Sequence, residues 1–155
     1  MSFAKHPKPQ PAPAAYEEDA YTWALEQAAL LRAGRFEAID VENIAEEIET
    51  VGRSEFARLR SSFRIIMLHL LKRDRQPERR SRSWVSSILT HRLDAAETLA
   101  ENPGLKSRVS EALAGAYARA RIEAIAETGL PEGALPETCP YDLDAVMTRE
   151  IQWAP

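Results

Sequence analysis

With one cysteine in 155 residues, the chain has no partner for an internal disulfide and no cysteine cluster for zinc. Cys139 alone fits a reducing compartment, so a cytoplasmic protein is expected. Glycine is scarce at six residues, and none of them builds a phosphate-cradling loop or a nucleophile elbow. No apolar run approaches the roughly 20 residues that span a bilayer. The stretch MSFAKHPKPQPAPAA lacks the apolar core of a signal peptide, and no membrane partner is expected. A net charge of −4 also lacks the basic excess of a protein built wholly around nucleic acid. What is present is globular composition, 45% hydrophobic and 28% charged, at a length suited to one domain. Such a chain buries roughly 68–70% of its unfolded surface and needs no metal or cofactor to fold.

Residues 1–15 hold Pro7, Pro9, Pro11 and Pro13 and few large apolar side chains, which predicts a flexible tail. Residues 16–155 are expected to form a single helical domain. A first helix is predicted from about Tyr16 to Ala33, with Glu17, Glu18 and Asp19 in its first turn, where they meet the positive end of the dipole. Ala20, Trp23, Ala24, Gln27, Leu30 and Leu31 would face inward, and Gly34 would stop it. Asp40 reads as the N-cap of a long second helix reaching about Arg73. Its stripe runs through Ile44, Ile48, Gly52, Phe56, Leu59, Phe63, Ile66 and Leu70, with Gly52 placed for a close helix approach or else a break. After Gln76-Pro77, a third helix over about Ser83–Ala100 turns Val85, Ile88, Leu89, Leu93, Ala96 and Leu99 inward. A fourth spans roughly Leu105 to Thr128, and Gly129-Leu130-Pro131 suggests a Schellman stop in which Leu130 meets Ile125. A proline-rich loop and a short helix near Asp142–Thr148 close the chain. The fold class is all-α: an antiparallel bundle of four to five helices.

Charge is segregated. Residues 37–50 hold six acids and no base, while residues 53–92 hold eleven bases against three acids, a net of +8 there and −12 elsewhere. Acids at the start and bases at the end of one helix complement its dipole, and arginines can pair with acids on neighbouring helices. The sharper reading is a basic turn over residues 72–84, where Lys72, Arg73, Arg75, Arg79, Arg80 and Arg82 adjoin Trp84. Arginine grips phosphate and an aromatic ring stacks on a base, so nucleic acid is one candidate partner.

Glu46, Glu47 and His69 are residue types that bind divalent metals or move protons, which raises a metal-dependent hydrolase as an alternative. On a straight helix Glu47 and His69 would stand about 33 Å apart, so sharing an ion needs the helix to fold back near Gly52. His69 lies in an apolar segment, where a neutral buried histidine is the usual outcome; His91 on the third helix is placed to approach it, and His6 belongs to the tail. Cys139 has no neighbouring base to activate it, and Ser81, Ser83, Ser86 and Ser87 sit where serine caps a helix. Trp23 and Trp153 read as packing residues. No catalytic constellation and no metal-ligand set is recognisable.

The linked motifs Tyr16-x-x-Asp19-x-x-x-Trp23-x-x-x-Gln27, Leu30-Leu31-Arg32-x-Gly34, Asp40-x-Glu42-Asn43 and Glu46-Glu47-Ile48-Glu49 resemble a bacterial family, domain of unknown function 29. His69-Leu70-Leu71-Lys72, Gln76-Pro77, Ser83-Trp84, Glu127-Thr128-Gly129-Leu130-Pro131 and Cys139-Pro140-Tyr141 extend the resemblance over about residues 16–155. It implies a compact helical fold with no established activity, substrate or cofactor. It also suggests that Glu46, Glu47, His69, Lys72, Gln76 and Trp84 belong to one pattern. Arg73-Asp74-Arg75 departs from that pattern, which often carries an aromatic there. The leading expectation is a non-enzymatic module that binds a protein partner or itself, a homo-oligomer then using the segment around Ile151 and Trp153.

Overall fold

The computed structural model describes residues 14–153, and every regular element among them is helical. The tail expected over residues 1–15, with His6, lies outside them except for Ala14 and Ala15. The chain forms two compact units that part between Thr50 and Val51.

In the first unit, helix α1 spans Ala20–Arg32, four residues later than its sequence suggests. The Asp19 carboxylate accepts the Thr22 N–H at 2.9 Å, so the acids precede the helix and Asp19 is its N-cap. Gly34 takes φ +70°, the left-handed stop that glycine adopts without strain. Of the side chains expected to face inward, only Trp23 and Gln27 are buried; Ala20, Ala24 and Leu31 are exposed. The two buried residues both serve Asp40. Trp23 Nε1 donates to Asp40 Oδ2 at 3.2 Å, and Gln27 Oε1 accepts the Asp40 N–H at 2.8 Å. Asp40 in turn caps helix α2 (Val41–Arg75) by accepting the Asn43 N–H at 3.2 Å and the Asn43 amide at 2.7 Å.

The second unit contains the main core. Helix α2 continues unbroken through Gly52, around which there is open space, so that glycine neither ends the helix nor admits a neighbour. Phe56, Leu59, Phe63, Ile66 and Leu70 are buried along one stripe, each contributing roughly 1.5–3 kcal/mol through burial. Ser81 caps helix α3 (Arg82–Glu101), which runs antiparallel to α2: Arg58 reaches Glu97 and Glu101 near one end, and His69 faces Trp84 near the other. After a 3-10 turn over Pro103–Arg108, helix α4 (Val109–Thr128) returns parallel to α2, with Arg64 on Glu123 and Lys72 on Glu127. Arginines of the basic stretch therefore pair with acids of α3 and α4. The most exposed of these pairs, Arg58 with Glu97 and Glu101, are each worth about 0.2–1 kcal/mol.

The buried face of α3 differs from the expected one. Leu93 is 73% exposed and Ala96 is exposed, whereas Ala95 and Thr98 are fully buried. Half-buried Arg92 shares the inward face, at helical spacing between Ile88 and Ala95. Its Nε donates to Val146 O at 2.7 Å, Nη1 to Arg149 O at 2.8 Å and Nη2 to Ala145 O at 3.3 Å. These are carbonyls at the end of helix α5 (Leu143–Thr148), which has no later turn to satisfy them. The end of α4 also differs in detail. Gly129 adopts φ +69° and donates to Ile125 O, but the Leu130 N–H goes to Thr128 Oγ1 at 3.2 Å rather than to a Schellman carbonyl.

Candidate functional site

The residues singled out by sequence fall into three places. Glu46 and Glu47 are exposed on the first turns of α2, within the first unit. Glu47 accepts a hydrogen bond from the Tyr16 hydroxyl, and the Tyr16 ring meets Trp23 edge-on with centroids 4.8 Å apart. That hydrogen bond, followed by burial, raises the Tyr16 hydroxyl above its ordinary range. The family motif residues Tyr16, Asp19, Trp23, Gln27, Asp40, Asn43 and Glu47 are thus caps and cross-links of one helical hairpin.

His69, Lys72 and Trp84 come together in the second unit. Trp84 stands on the first turn of α3, oriented by the Ser81 cap, and His69 and Lys72 lie one turn apart on α2. The Lys72 ammonium lies 4.6 Å from the Trp84 ring centroid and pairs with Glu127 of α4. The His69 and Trp84 rings are 6.4 Å apart and tilted. His69 Nδ1 is buried with no hydrogen-bond partner. Burial first, then the Lys72 and His91 charges against that of Glu127, hold its pKa down to about 4. At neutral pH the imidazole is therefore uncharged and too weak a base to collect a proton efficiently. His91 Nδ1 is 3.2 Å from Asp94 Oδ2 but lacks hydrogen-bond geometry. Among the described residues no group of three His, Cys, Asp or Glu is placed to hold a metal ion.

The remaining candidates occupy the turn between α2 and α3. Gln76 is buried and its carbonyl accepts the Arg79 N–H at 3.0 Å. Arg80 Nε donates to Arg73 O at 3.2 Å, and the Arg82 guanidinium lies 5.1 Å from the Trp153 ring centroid. Arg79 is exposed. Arg73, counted with the basic turn from sequence, is 7% exposed and donates through Nη2 to Gln152 O at 3.1 Å. Cys139 donates to Tyr141 O at 3.2 Å beside Met67, and burial raises its thiol, which suppresses the reactive thiolate. Glu127 was visible only as part of a helix-end motif; its partner is 55 residues away, and no local pattern reports that distance.

His69 yields a pH prediction. An unfolded histidine takes up its proton near pH 6.5, the folded one only near pH 4, so the unfolded state binds more protons in between. The contribution of neutral His69 is therefore intact above about pH 6.5 and lost as pH falls toward 4. Urea midpoints measured across this window are expected to fall less steeply in His69→Phe than in the wild type. Parallel curves down to pH 5 would show that the ring is not held neutral by its surroundings.

The geometry defines an all-α protein whose motif residues act as helix caps, ion pairs and ring contacts. The chain belongs to the family described as Domain of unknown function DUF29, whose model matches residues 15–152. No curated protein and no solved structure matches it. No helix among the described residues is long and apolar enough to cross a membrane.

Proposed function

We propose that the chain is a cytoplasmic, non-enzymatic protein-interaction module whose first unit holds a basic amphipathic helix of a partner protein. The observation that carries this reading is a groove of about 370 Å³ along α1 and the start of α2, lined by Ala20, Ala24, Ala28 and Leu31 on one side and Ile44 and Ile48 on the other. Alanines four residues apart share one face of α1 and keep that wall low. Of the side chains that line it, Leu31 is 40% and Ile48 67% exposed. A contiguous apolar surface left uncovered in this way marks an interaction site, and an apolar trough between helices suits a third helix laid into it.

Charge selects the occupant. Residues 14–50 carry ten acids and two bases, so a cationic partner is drawn in and a second copy of the same surface is repelled. Nucleic acid bound at the basic turn has less support, since Arg73, Arg80 and Arg82 already make contacts within the chain. A synthetic amphipathic helix of leucine and lysine is expected to bind the full chain, more weakly as salt is added. Binding to Ala24→Arg should be weaker by about tenfold or more, while Ala114→Arg, at an exposed position on α4, should match the wild type. A leucine and glutamate peptide that binds equally well, or undiminished binding to Ala24→Arg, would remove the reading.

A further inference from the structure

A second concave surface lies within the second unit and has the opposite character. Its volume is about 380 Å³, and Ala57, Arg60, Ser61 and Arg64 of α2 face Arg119 and Glu123 of α4 across it. Positions 57, 60, 61 and 64 recur at helical spacing, so α2 presents two guanidinium groups and a hydroxyl on one face. Arg119 and Glu123, one turn apart on α4, close the other side.

The three arginines are held differently. Arg64 spends only Nη1 on Glu123, at 2.7 and 2.6 Å to its two oxygens, which leaves Nε and Nη2 to donate elsewhere. Arg60 is seated by Gly115: a Cβ at that position would stand 3.2 Å from Arg60 Cδ, so the missing side chain lets the arginine stem lie against α4. On its other side the Arg60 guanidinium lies 5.8 Å from the Phe56 ring centroid. Arg119 has no ion pair or hydrogen bond with any described residue. Three guanidinium groups thus face one carboxylate, leaving an excess of two positive charges in a pocket of ligand size.

We infer that this groove binds a phosphate dianion, either free or as the phosphoryl group of a small phosphomonoester. Guanidinium forks match phosphate oxygens in geometry as well as charge. The surroundings favour a compact ligand over a nucleic acid strand. Glu111, paired with Arg108, lies toward one end of the pocket on α4, and Glu127 lies toward the other. A continuous polyanion leaving the pocket along α4 would therefore meet cations already engaged by carboxylates, whereas a single phosphoryl group needs only the arginines of the pocket.

Calorimetric titration of the full chain with inorganic phosphate, and separately with glucose 6-phosphate, tests the assignment against sodium chloride of equal ionic strength. Saturable binding of phosphate is expected, weakened about tenfold or more in Arg60→Gln and in Arg119→Gln and unchanged in Lys106→Gln, a surface control outside the pocket. Tighter binding of the sugar phosphate would identify an organic phosphomonoester as the ligand, and equal or weaker binding would identify free phosphate; either supports the site. Heat indistinguishable from the chloride control, or binding retained in the Arg60→Gln/Arg119→Gln double variant, would overturn it. So would tight, steeply salt-dependent binding of single-stranded RNA through these arginines with no response to phosphate.

Discussion

Replacing Asp74 with alanine is expected to cost about 1–3 kcal/mol of folding stability, chiefly by leaving the buried Tyr141 hydroxyl without its acceptor, and to loosen the C-terminal segment of the second unit. Asp74 lies in the last turn of the long helix α2 and receives three charge-assisted hydrogen bonds. Arg149 donates through Nη2 to Oδ1 at 2.6 Å and through Nη1 to Oδ2 at 2.9 Å, and the Tyr141 hydroxyl donates to Oδ2 at 2.8 Å. Burial works to raise the carboxyl, but these donors outweigh it and hold it below its ordinary range. For Tyr141, burial and the hydrogen bond to Asp74 both push the hydroxyl upward. Alanine at position 74 leaves that hydroxyl, on a residue 9% exposed, without its acceptor. The carboxylate's contribution is present above the usual aspartate range and is lost as pH falls through the lowered value, so the variant should also be less acid-sensitive. Urea unfolding of Asp74→Ala, Arg149→Ala and the double variant gives the coupling directly. A single-variant loss under about 0.5 kcal/mol, the range of ordinary surface changes, would show that the segment is held by packing alone.

Arg73 and Asp74 thus have an internal account, although the Arg73-Asp74-Arg75 stretch departs from the family pattern as read from sequence. Asp74 fastens the segment around Tyr141 and Arg149. Arg73 supports Gln152 from a buried position, where its own Nη1 lacks a partner and burial lowers its pKa. The sequence counted these residues as parts of a charge run because their partners lie 67 to 79 residues away. Charge alone tells neither which residues face inward nor which acid answers which base.

Local chemistry was far more legible than long-range pairing. Asp40, Ser81 and Asp142 cap helices as serine and aspartate do, and Gly34 and Gly129 adopt the left-handed conformation expected of them. The stripe from Phe56 to Leu70 matches the core because its period and its burial agree. Two failures have distinct causes. On α3, Arg92 occupies the inward face, and reading only apolar residues shifts the stripe by one position. In the first unit, the period correctly groups Ala20, Ala24 and Ile48 with neighbours on a face, but period does not say whether anything covers that face. The candidate site was legible to the same degree: one motif on α2 placed His69 and Lys72 a turn apart, while the approach of Trp84 and Glu127 required the fold.

The two ends of the α2 stripe therefore have different roles, and a matched pair of truncations separates them. Phe63 is fully buried in the second unit, and Phe63→Ala is expected to cost about 3–5 kcal/mol through lost burial and the cavity left behind. Ile48, on the same helix and in the same periodic pattern, is 67% exposed. Ile48→Ala removes little buried surface and replaces a β-branched residue with the best helix former, so its stability should stay within about 0.5 kcal/mol of the wild type or rise slightly. If the groove is an interaction surface, the cost of Ile48→Ala appears elsewhere, as weaker binding of the leucine and lysine helix to a chain that remains fully folded. Urea unfolding and peptide titration on the same two variants distinguish the cases. A loss of several kcal/mol at Ile48 would mean that the first unit buries this face in solution, and the groove would then be part of a core rather than a docking surface.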